Sequence, residues 1–252
     1  MSSAAHRALT VDRGNSRVKM RVMEGLTSLY AYSGESPDIE QAARICDEYG
    51  VDTAIYCSVG AIDARFAESL RRLTDDRLLV LTHETPLPVT IDYGSPATLG
   101  ADRIAALCGA WILWPDTAML VADAGTCLTL DLLDAAGHFP GGDIAPGVEM
   151  RLKAMHSFTG SLPEVGVAGE LPEYGTDTAT AMRCGAVRGA ADQIIHAWQE
   201  ARRLAGARRL VLTGGDADML LPLLQSEIDH IDCRPDLIEV GLISILKYNE
   251  YI

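Results

Sequence analysis

The feature that most restricts the fold of this chain is a turn that occurs twice. The segments VDRGNSRVKM, beginning at Val11, and VADAGTCLTL, beginning at Val121, each join two apolar, β-prone runs through an Asp-x-Gly sequence. Glycine permits a tight reversal with the backbone close to a ligand, and the polar residues that follow offer donors suited to phosphate oxygens. Either turn alone is better explained as an ordinary hairpin. Their occurrence at equivalent points of two similar halves favours a pair of phosphate-binding hairpins.

The predicted elements follow the same order around both turns. In the first half, three strands (RALTVD, RVKMRVM and LTSLYAYS) precede an alternation of helices and strands. The first helix is predicted in SPDIEQAARICDEYG, with Ser36 as N-cap, Pro37 as first helical residue and Gly50 at its end. The second half restarts with TAMLVAD, TCLTLDLLD and a short segment around GHFPGGDIAPG, and it ends in the helix DLIEVGLISILKYNE. The pattern predicts an α/β duplication with halves 1–116 and 117–252.

Composition excludes several classes of function. Hydrophobic residues make up 48% of the 252-residue chain, and the net charge is −14 with a pI near 4.7. A chain this acidic repels a phosphate backbone, so we expect no nucleic-acid partner. No apolar run is long enough to span a membrane, and the N-terminal stretch lacks the pattern of a signal peptide. The six scattered cysteines form no C-x-x-C pair, and we expect reduced thiols in a cytoplasmic protein.

Seven segments, in order along nearly the whole chain, resemble those of the type III pantothenate kinases. They are DRGNSRVK, TPLPVTIDYGSPATLGADR, DAGTCLTLD, GGDIAPGVEM, TGSLP, GTDTATAMRCG and LTGGDA. That family belongs to the superfamily of acetate and sugar kinases, heat-shock ATPases and actin. The resemblance therefore implies a duplicated actin-like ATPase (ribonuclease H-like) fold, with mixed central sheets flanked by helices and a cleft between the two halves. It also implies ATP-dependent phosphorylation of pantothenate to 4′-phosphopantothenate, the first step of coenzyme A biosynthesis.

The resemblance implies that Asp102, in the segment LGADR, is the general base that accepts the proton of the pantothenate hydroxyl. A purely local alternative makes Asp102 a charge that is favourable near a helix N-terminus. Arg103 is the expected partner of the pantothenate carboxylate, because a guanidinium binds it in bidentate fashion, although a surface salt bridge explains it equally well. The remaining members of the substrate pocket implied by the family are Tyr93, Gly100, Ala101 and Thr178. In the family Thr178 is donated by the other subunit, which implies a homodimer with composite active sites, but a helix N-terminal hydroxyl is the local alternative.

The ATP site implied by the resemblance comprises both hairpins. Its members are Asp12, Arg13, Gly14, Asn15, Ser16, Arg17, Val18, Lys19 and Thr126. Asp123 matches the family's ligand for a monovalent cation, potassium or ammonium. Asp12 is the expected carboxylate on the Mg²⁺ side, directly or through water, since Mg²⁺ usually keeps several waters.

Several points stay open on the sequence alone. Arg13 replaces an aliphatic residue that the family often has, and it either adds a cation for ATP or points to solvent. The segments Gly141–Gly147 and Gly214–Gly215 fit either a ligand-proximal or an architectural role. Two rival functions are a kinase for another small hydroxylated acceptor and a regulatory homologue that binds nucleotide without catalysis. The presence of Arg103 argues against the first rival, and the presence of Asp102 argues against the second.

Overall fold

The computed structural model describes residues 6–252, so the first five residues of the stretch inspected for a signal peptide lie outside it. The chain forms two compact units. Among the described residues, the first unit comprises residues 6–115, 137–139 and 236–252, and the second comprises residues 116–136 and 140–235. Within residues 6–252, no helix is long and apolar enough to cross a membrane.

The first unit is built on a five-stranded sheet with the order β3-β2-β1-β4-β5. Its strands are β1 (Arg7–Arg13), β2 (Val18–Glu24), β3 (Thr27–Gly34), β4 (Thr53–Ser58) and β5 (Leu78–Val80). The first three strands form an antiparallel meander, whereas β4 pairs parallel to β1 and β5 parallel to β4. The carboxyl ends of β1 and β4 therefore meet at one edge of the sheet, where ligand sites of open α/β sheets form.

Helices cover both faces of this sheet. On one face, α1 (Ile39–Tyr49) and α2 (Ala64–Leu73) bury an apolar cluster that includes Leu9, Val11 and Met20. The other face contacts α3 (Ala101–Leu113) and α7 (Leu237–Tyr248). Between α2 and α3, the chain forms β6 (Thr90–Ile91) and a 3-10 turn at Pro96–Thr98, and β6 pairs with β9 (His138–Phe139).

The second unit repeats this plan with a five-stranded sheet of order β10-β8-β7-β11-β12. Its strands are β7 (Met119–Ala124), β8 (Cys127–Leu133), β10 (Gly141–Pro146), β11 (Arg209–Thr213) and β12 (Ile231–Cys233), and its helices are α4 (Val148–Ser157), α5 (Thr178–Ala205) and α6 (Ala217–Leu224). Three antiparallel strands are again followed by two parallel ones. The two sheets share one topology, and the predicted structural duplication is therefore confirmed.

The closing helix α7 belongs to the first compact unit, whereas the sequence-based division groups it with residues 117–252. Two glycines explain its close packing on α3. A Cβ on Gly241 would lie 1.7 Å from the carbonyl oxygen of Ala105, and one on Gly109 would lie 2.2 Å from that of Leu237. The backbones of α3 and α7 approach each other at these glycines, so α7 is fixed against a helix of the first unit.

Local corrections concern a helix start and three short elements. The N-cap of α1 is Asp38, not Ser36, because the Asp38 side chain accepts a hydrogen bond from Gln41 N. The helix begins at Ile39, so Pro37 lies before the cap and is not the first helical residue. Gly50 ends the helix in the left-handed conformation as predicted. The segment expected to form one third strand is divided into β9, which pairs with β6, and β10. The helix α6 and the strand β12 were not predicted at all.

Candidate active site

The first hairpin turns through residues 14–17, and the Gly14 amide donates to the carbonyl oxygen of Arg17 over 2.9 Å. Asn15, Ser16 and Arg17 are exposed at its tip, while Val18 is buried and can offer only its backbone to a ligand. The Arg17 guanidinium donates to the Ser33 hydroxyl on β3 over 2.7 Å. The tip thus presents backbone and side-chain donors at the carboxyl edge of the sheet.

Asp12 precedes this turn and is buried, with 5% of its surface exposed. Lys19 lies directly opposite it on β2, and the Cys57 thiol, its neighbour in register on β4, donates to Asp12 Oδ1 over 3.5 Å. Burial raises the pKa of Asp12 to about 6, the Lys19 charge opposes the rise, and the Glu239 and Asp102 carboxylates add to it. Asp12 forms no ion pair among residues 6–252, so an added cation would be favourable beside it.

Arg13 points to the opposite face of the sheet and is half-buried. It lines a cleft of about 420 Å³ together with Gly14 and Asn15, the loop at residues 35–37 and the loop at residues 58–63. Its Nη1 donates to the carbonyl oxygen of Ala61 over 3.4 Å. Arg13 is therefore not a fully solvated surface cation, and its charge lies at the wall of a cleft beside the first hairpin.

Asp102 lies in the first turn of α3, as predicted, and Gly100 is the N-cap. The carboxylate folds back over the helix start, where Oδ1 accepts from the Arg103 amide over 2.8 Å. A Cβ on Gly100 would lie only 2.4 Å from that oxygen, so the glycine makes room for the carboxylate. Since the Asp102 charge contributes to the raised pKa of Asp12, the predicted base and the first hairpin belong to one electrostatic site.

Arg103 is buried, with 5% exposure, so it is not the surface residue that the local alternative assumed. Its guanidinium carbon lies 5.6 Å from the ring centre of Tyr93 and 5.5 Å from that of Phe139. The two rings stack on each other with centroids 5.8 Å apart. The aromatic pair orients a planar cation and stabilises it through cation–π attraction.

The second hairpin, in the second unit, turns through residues 125–127, and its Gly125 amide donates to the Cys127 carbonyl over 3.0 Å. Asp123 is half-buried and Thr126 is exposed. Gly147 packs against the turn, since a Cβ there would lie 2.1 Å from the Gly125 carbonyl oxygen. Both predicted residues therefore border a turn whose backbone is tightly enclosed.

Gly214 and Asp216 enclose the same turn from another direction. A Cβ on Gly214 would lie 2.3 Å from the Ala124 carbonyl oxygen and 2.5 Å from Asp123 Oδ1. The Asp216 amide donates to the Ala124 carbonyl, and its carboxylate accepts from the Val148 amide at the start of α4. Gly147 and Gly214 thus have an architectural role next to the predicted site. Asp216 is a residue of this region that sequence reasoning did not find.

Thr178 is exposed as the first residue of α5, and neighbouring residues satisfy the helix start without it. The Asp177 carboxylate accepts from the Thr180 amide, while the Thr180 hydroxyl accepts from the Asp177 amide. Those hydrogen bonds lower the pKa of Asp177. The capping role that the local alternative gave to Thr178 therefore belongs to Asp177 and Thr180.

Sequence reasoning missed four residues around the first hairpin: Arg21, Cys57, Phe139 and Glu239. Glu239 had a detectable signal, because it is the one acidic residue within the apolar helix sequence LIEVGLISIL. Phe139 carried no comparable signal, since its contact with Arg103 depends on the pairing of β6 with β9. No group of three or more His, Cys, Asp or Glu side chains within residues 6–252 could hold a metal ion.

The topology of the two units defines the actin-like ATPase fold, which the ROK sugar kinases share. The ROK hexokinase of Thermus thermophilus superposes with a TM-score of 0.52 at 13% identity, covering 95% of this chain and 98% of that one. A Campylobacter jejuni protein described as a Baf family transcriptional activator superposes with a TM-score of 0.61 at 24% identity, covering 97% of this chain and all (100%) of that one. At these identities the likeness concerns the fold, and the predicted fold class is confirmed.

The sequence comparisons identify the family within this class. The profile of the type III pantothenate kinases matches residues 8–200. The type III pantothenate kinase of Porphyromonas gingivalis (strain ATCC 33277) is 37% identical over 246 residues, which cover 96% of this chain and 98% of that protein. The chain belongs to the type III pantothenate kinase family, as its ordered motifs predicted.

Proposed function

We infer that the protein transfers the γ-phosphoryl group of ATP to the hydroxyl of pantothenate, giving 4′-phosphopantothenate for coenzyme A biosynthesis. The observation that carries this conclusion is the full-length match to curated type III pantothenate kinases. The grouping of Asp102, Arg103 and the first hairpin within one unit supports it. The six free cysteines of the chain support a reducing, cytoplasmic setting.

In this proposal, Asp102 is the general base. Its carboxylate is half-buried at the start of α3, next to Arg103 in the chain, so an acceptor bound by Arg103 would lie close to it. Arg103 binds the pantothenate carboxylate, and Tyr93, Gly100 and Ala101 line the same pocket. The aromatic contacts of Arg103 support a fixed binding geometry.

Both hairpins bind ATP through their backbone amides and through the exposed polar side chains of their tips. Asp12 lies on the Mg²⁺ side, a role supported by its burial without an ion pair among the described residues. Bound Mg²⁺ would neutralise charge on the transferring phosphoryl group. Asp123 holds a potassium or ammonium ion, a role supported by its carboxylate lying beside the turn that Gly147 and Gly214 enclose.

The active form in this proposal is a homodimer, in which Thr178 completes the partner's pantothenate pocket. The exposure of Thr178, which is not used for capping, supports this role. Two further observations support a dimer. The strand β10 lies at the edge of its sheet, and Ile144 on it is 61% exposed, while Phe158 is 88% exposed. Large exposed apolar side chains and an edge strand are each features that interfaces use.

A coupled assay with pantothenate, ATP, Mg²⁺ and potassium tests the function directly. We expect phosphorylation of pantothenate, and loss of at least about 100-fold in kcat for Asp102→Asn, because removal of a general base typically costs that much. Circular dichroism and size-exclusion chromatography of the variant provide the folding control. Absence of turnover by folded wild-type protein would exclude the proposed activity, whereas substantial turnover by Asp102→Asn would exclude only the base assignment. Unchanged rates without a monovalent cation would exclude the role of Asp123.

A further inference from the structure

A polar row lies on the face of the first sheet that contacts α3 and α7. It consists of Thr10 and Asp12 on β1 and of their cross-strand partners Arg21 and Lys19 on β2. These four side chains share a face because residues two apart on a strand point to the same side and directly paired residues do too. The row therefore contains a single carboxylate and two cations.

Arg21 is held at one end of this row by a residue from a distant part of the chain. Its Nε donates to Glu239 Oε1 on α7 over 2.9 Å, and the Glu239 side chain is only 2% exposed. The Arg21 side chain retains 23% exposure. A buried carboxylate in this position needs a cationic partner, and the cation in turn has its charge satisfied there.

Without Glu239, Arg21 would have another carboxylate within reach. Arg21 lies opposite Thr10, so Asp12 is its diagonal neighbour, a separation that long side chains span. Guanidinium groups bind carboxylates in bidentate fashion, and a desolvated Asp12 without an ion pair would be a favourable partner. Such a pair would occupy the carboxylate that the first phosphate hairpin presents.

We propose that Glu239 is a positioning residue that binds Arg21 and thereby keeps the Asp12 carboxylate available to a hydrated magnesium ion on the nucleotide. The inference rests on the proposed role of Asp12 on the Mg²⁺ side. The effect of Glu239 on metal binding depends on the presence of Arg21. This dependence distinguishes the proposed role from that of a purely structural ion pair.

The test measures metal binding without turnover. Mn²⁺, observed by electron paramagnetic resonance, is titrated into wild type and variants saturated with a non-hydrolysable ATP analogue. We expect Glu239→Gln to weaken Mn²⁺ binding about tenfold, the lower range for residues that orient a metal ligand. The Mg²⁺ concentration for half-maximal activity should rise in parallel. Arg21→Met/Glu239→Gln leaves neither charge unpaired, and it should restore Mn²⁺ affinity to within about twofold of wild type.

Unchanged Mn²⁺ affinity in Glu239→Gln would overturn the proposal. So would a double variant, Arg21→Met/Glu239→Gln, that binds Mn²⁺ as weakly as Glu239→Gln does, because the pair would then be structural only. If Glu239→Gln does not fold, Glu239→Asp keeps the charge but shortens the reach to Arg21, and it should weaken Mn²⁺ binding in the same direction. No effect in that folded variant would also overturn the proposal. Asp12→Asn distinguishes failure of this inference from failure of the proposed function. If this variant bound Mn²⁺ with wild-type affinity, the Mg²⁺-side role of Asp12 would be refuted, and with it this inference. Turnover in the pantothenate assay would still support the proposed kinase activity.

Discussion

Asp12 is the residue whose environment has the clearest consequence for stability. Its raised pKa, from 3.8 to about 6, means that the folded protein keeps a proton that the unfolded chain releases between about pH 4 and 6. Stability should therefore fall as pH rises through this window. Above it, the buried charge costs up to about 3 kcal/mol.

Asp12→Asn should remove this cost in metal-free protein. We expect a variant that is more stable than wild type by about 1 to 3 kcal/mol at pH 7 and equal to it near pH 4. Urea unfolding in buffers containing EDTA, at several pH values, measures the difference. A constant difference across the whole range would show that the carboxyl group does not titrate as described.

The aromatic contacts of Arg103 predict a selective effect on the acceptor. Phe139→Leu removes one ring from the guanidinium while keeping an apolar side chain in a fully buried site. We expect KM for pantothenate to rise about three- to thirtyfold, the range of a desolvated cation–π contact. KM for ATP, measured on the same preparation, is the internal control. Equal changes in both constants would indicate a general disturbance of the fold instead.

At the scale of elements, the close crossing of α3 and α7 depends on the glycines at Gly109 and Gly241, which have no side chains. Gly241→Ala would place a Cβ 1.7 Å from the Ala105 carbonyl oxygen, so the helices would have to separate. We expect a loss of at least about 3 kcal/mol, in the range of overpacking and lost contacts.

Gly185→Ala provides a matched helix-interior control. A Cβ at Gly185, on α5, meets no atom within 4 Å, so the gain in helix propensity should stabilise the protein by about 0.5 to 1 kcal/mol. Denaturant unfolding of both variants tests the pair. Similar free energies of unfolding for the two would contradict a close crossing of α3 and α7.

The elements that sequence reasoning found and missed differ in physical origin. The antiparallel strands and the long helices carry their periodicity locally, and Gly50 marks a helix end through its own conformation. In contrast, β6 and β9 have two residues each and exist only through their mutual pairing, and α6 is apolar apart from Asp218 and has Pro222 inside it. Asp38 replaced Ser36 as N-cap because two acceptable capping residues lie two positions apart.

The residues of the candidate site also divide into those that local sequence patterns reveal and those that they do not. Asp12, Gly14 and Asp123 could be found because a turn chemistry repeats along the chain, whereas Asp102 and Arg103 required a family resemblance. Phe139 and Glu239 contact the site from segments more than thirty residues from their partners. Local patterns contain no information about such contacts.

At the scale of the whole molecule, the proposed composite active sites predict complementation between inactive variants. Asp102→Asn removes the proposed base, and Thr178→Arg places a bulky cation on an exposed helix position that should be tolerated by its own fold. Random mixing of unfolded chains followed by refolding gives half heterodimers, each with one intact site. We therefore expect about a quarter of wild-type activity from two inactive parents. Activity no higher than the parents, with heterodimers shown by mass, would contradict sites shared between subunits.

The return of α7 to the first unit has a consequence for folding during synthesis. Residues 236–252 leave the ribosome after the entire second unit, although the first unit is incomplete without them. Until then, the face of the first sheet that α7 covers remains open, and Arg21 has no Glu239 to bind. The second unit can therefore fold before the first unit is complete, which reverses the usual order in which the N-terminal part folds first. In a nascent chain, the first hairpin should therefore have its final surroundings only after residues 236–252 have been synthesised and have packed on the first unit.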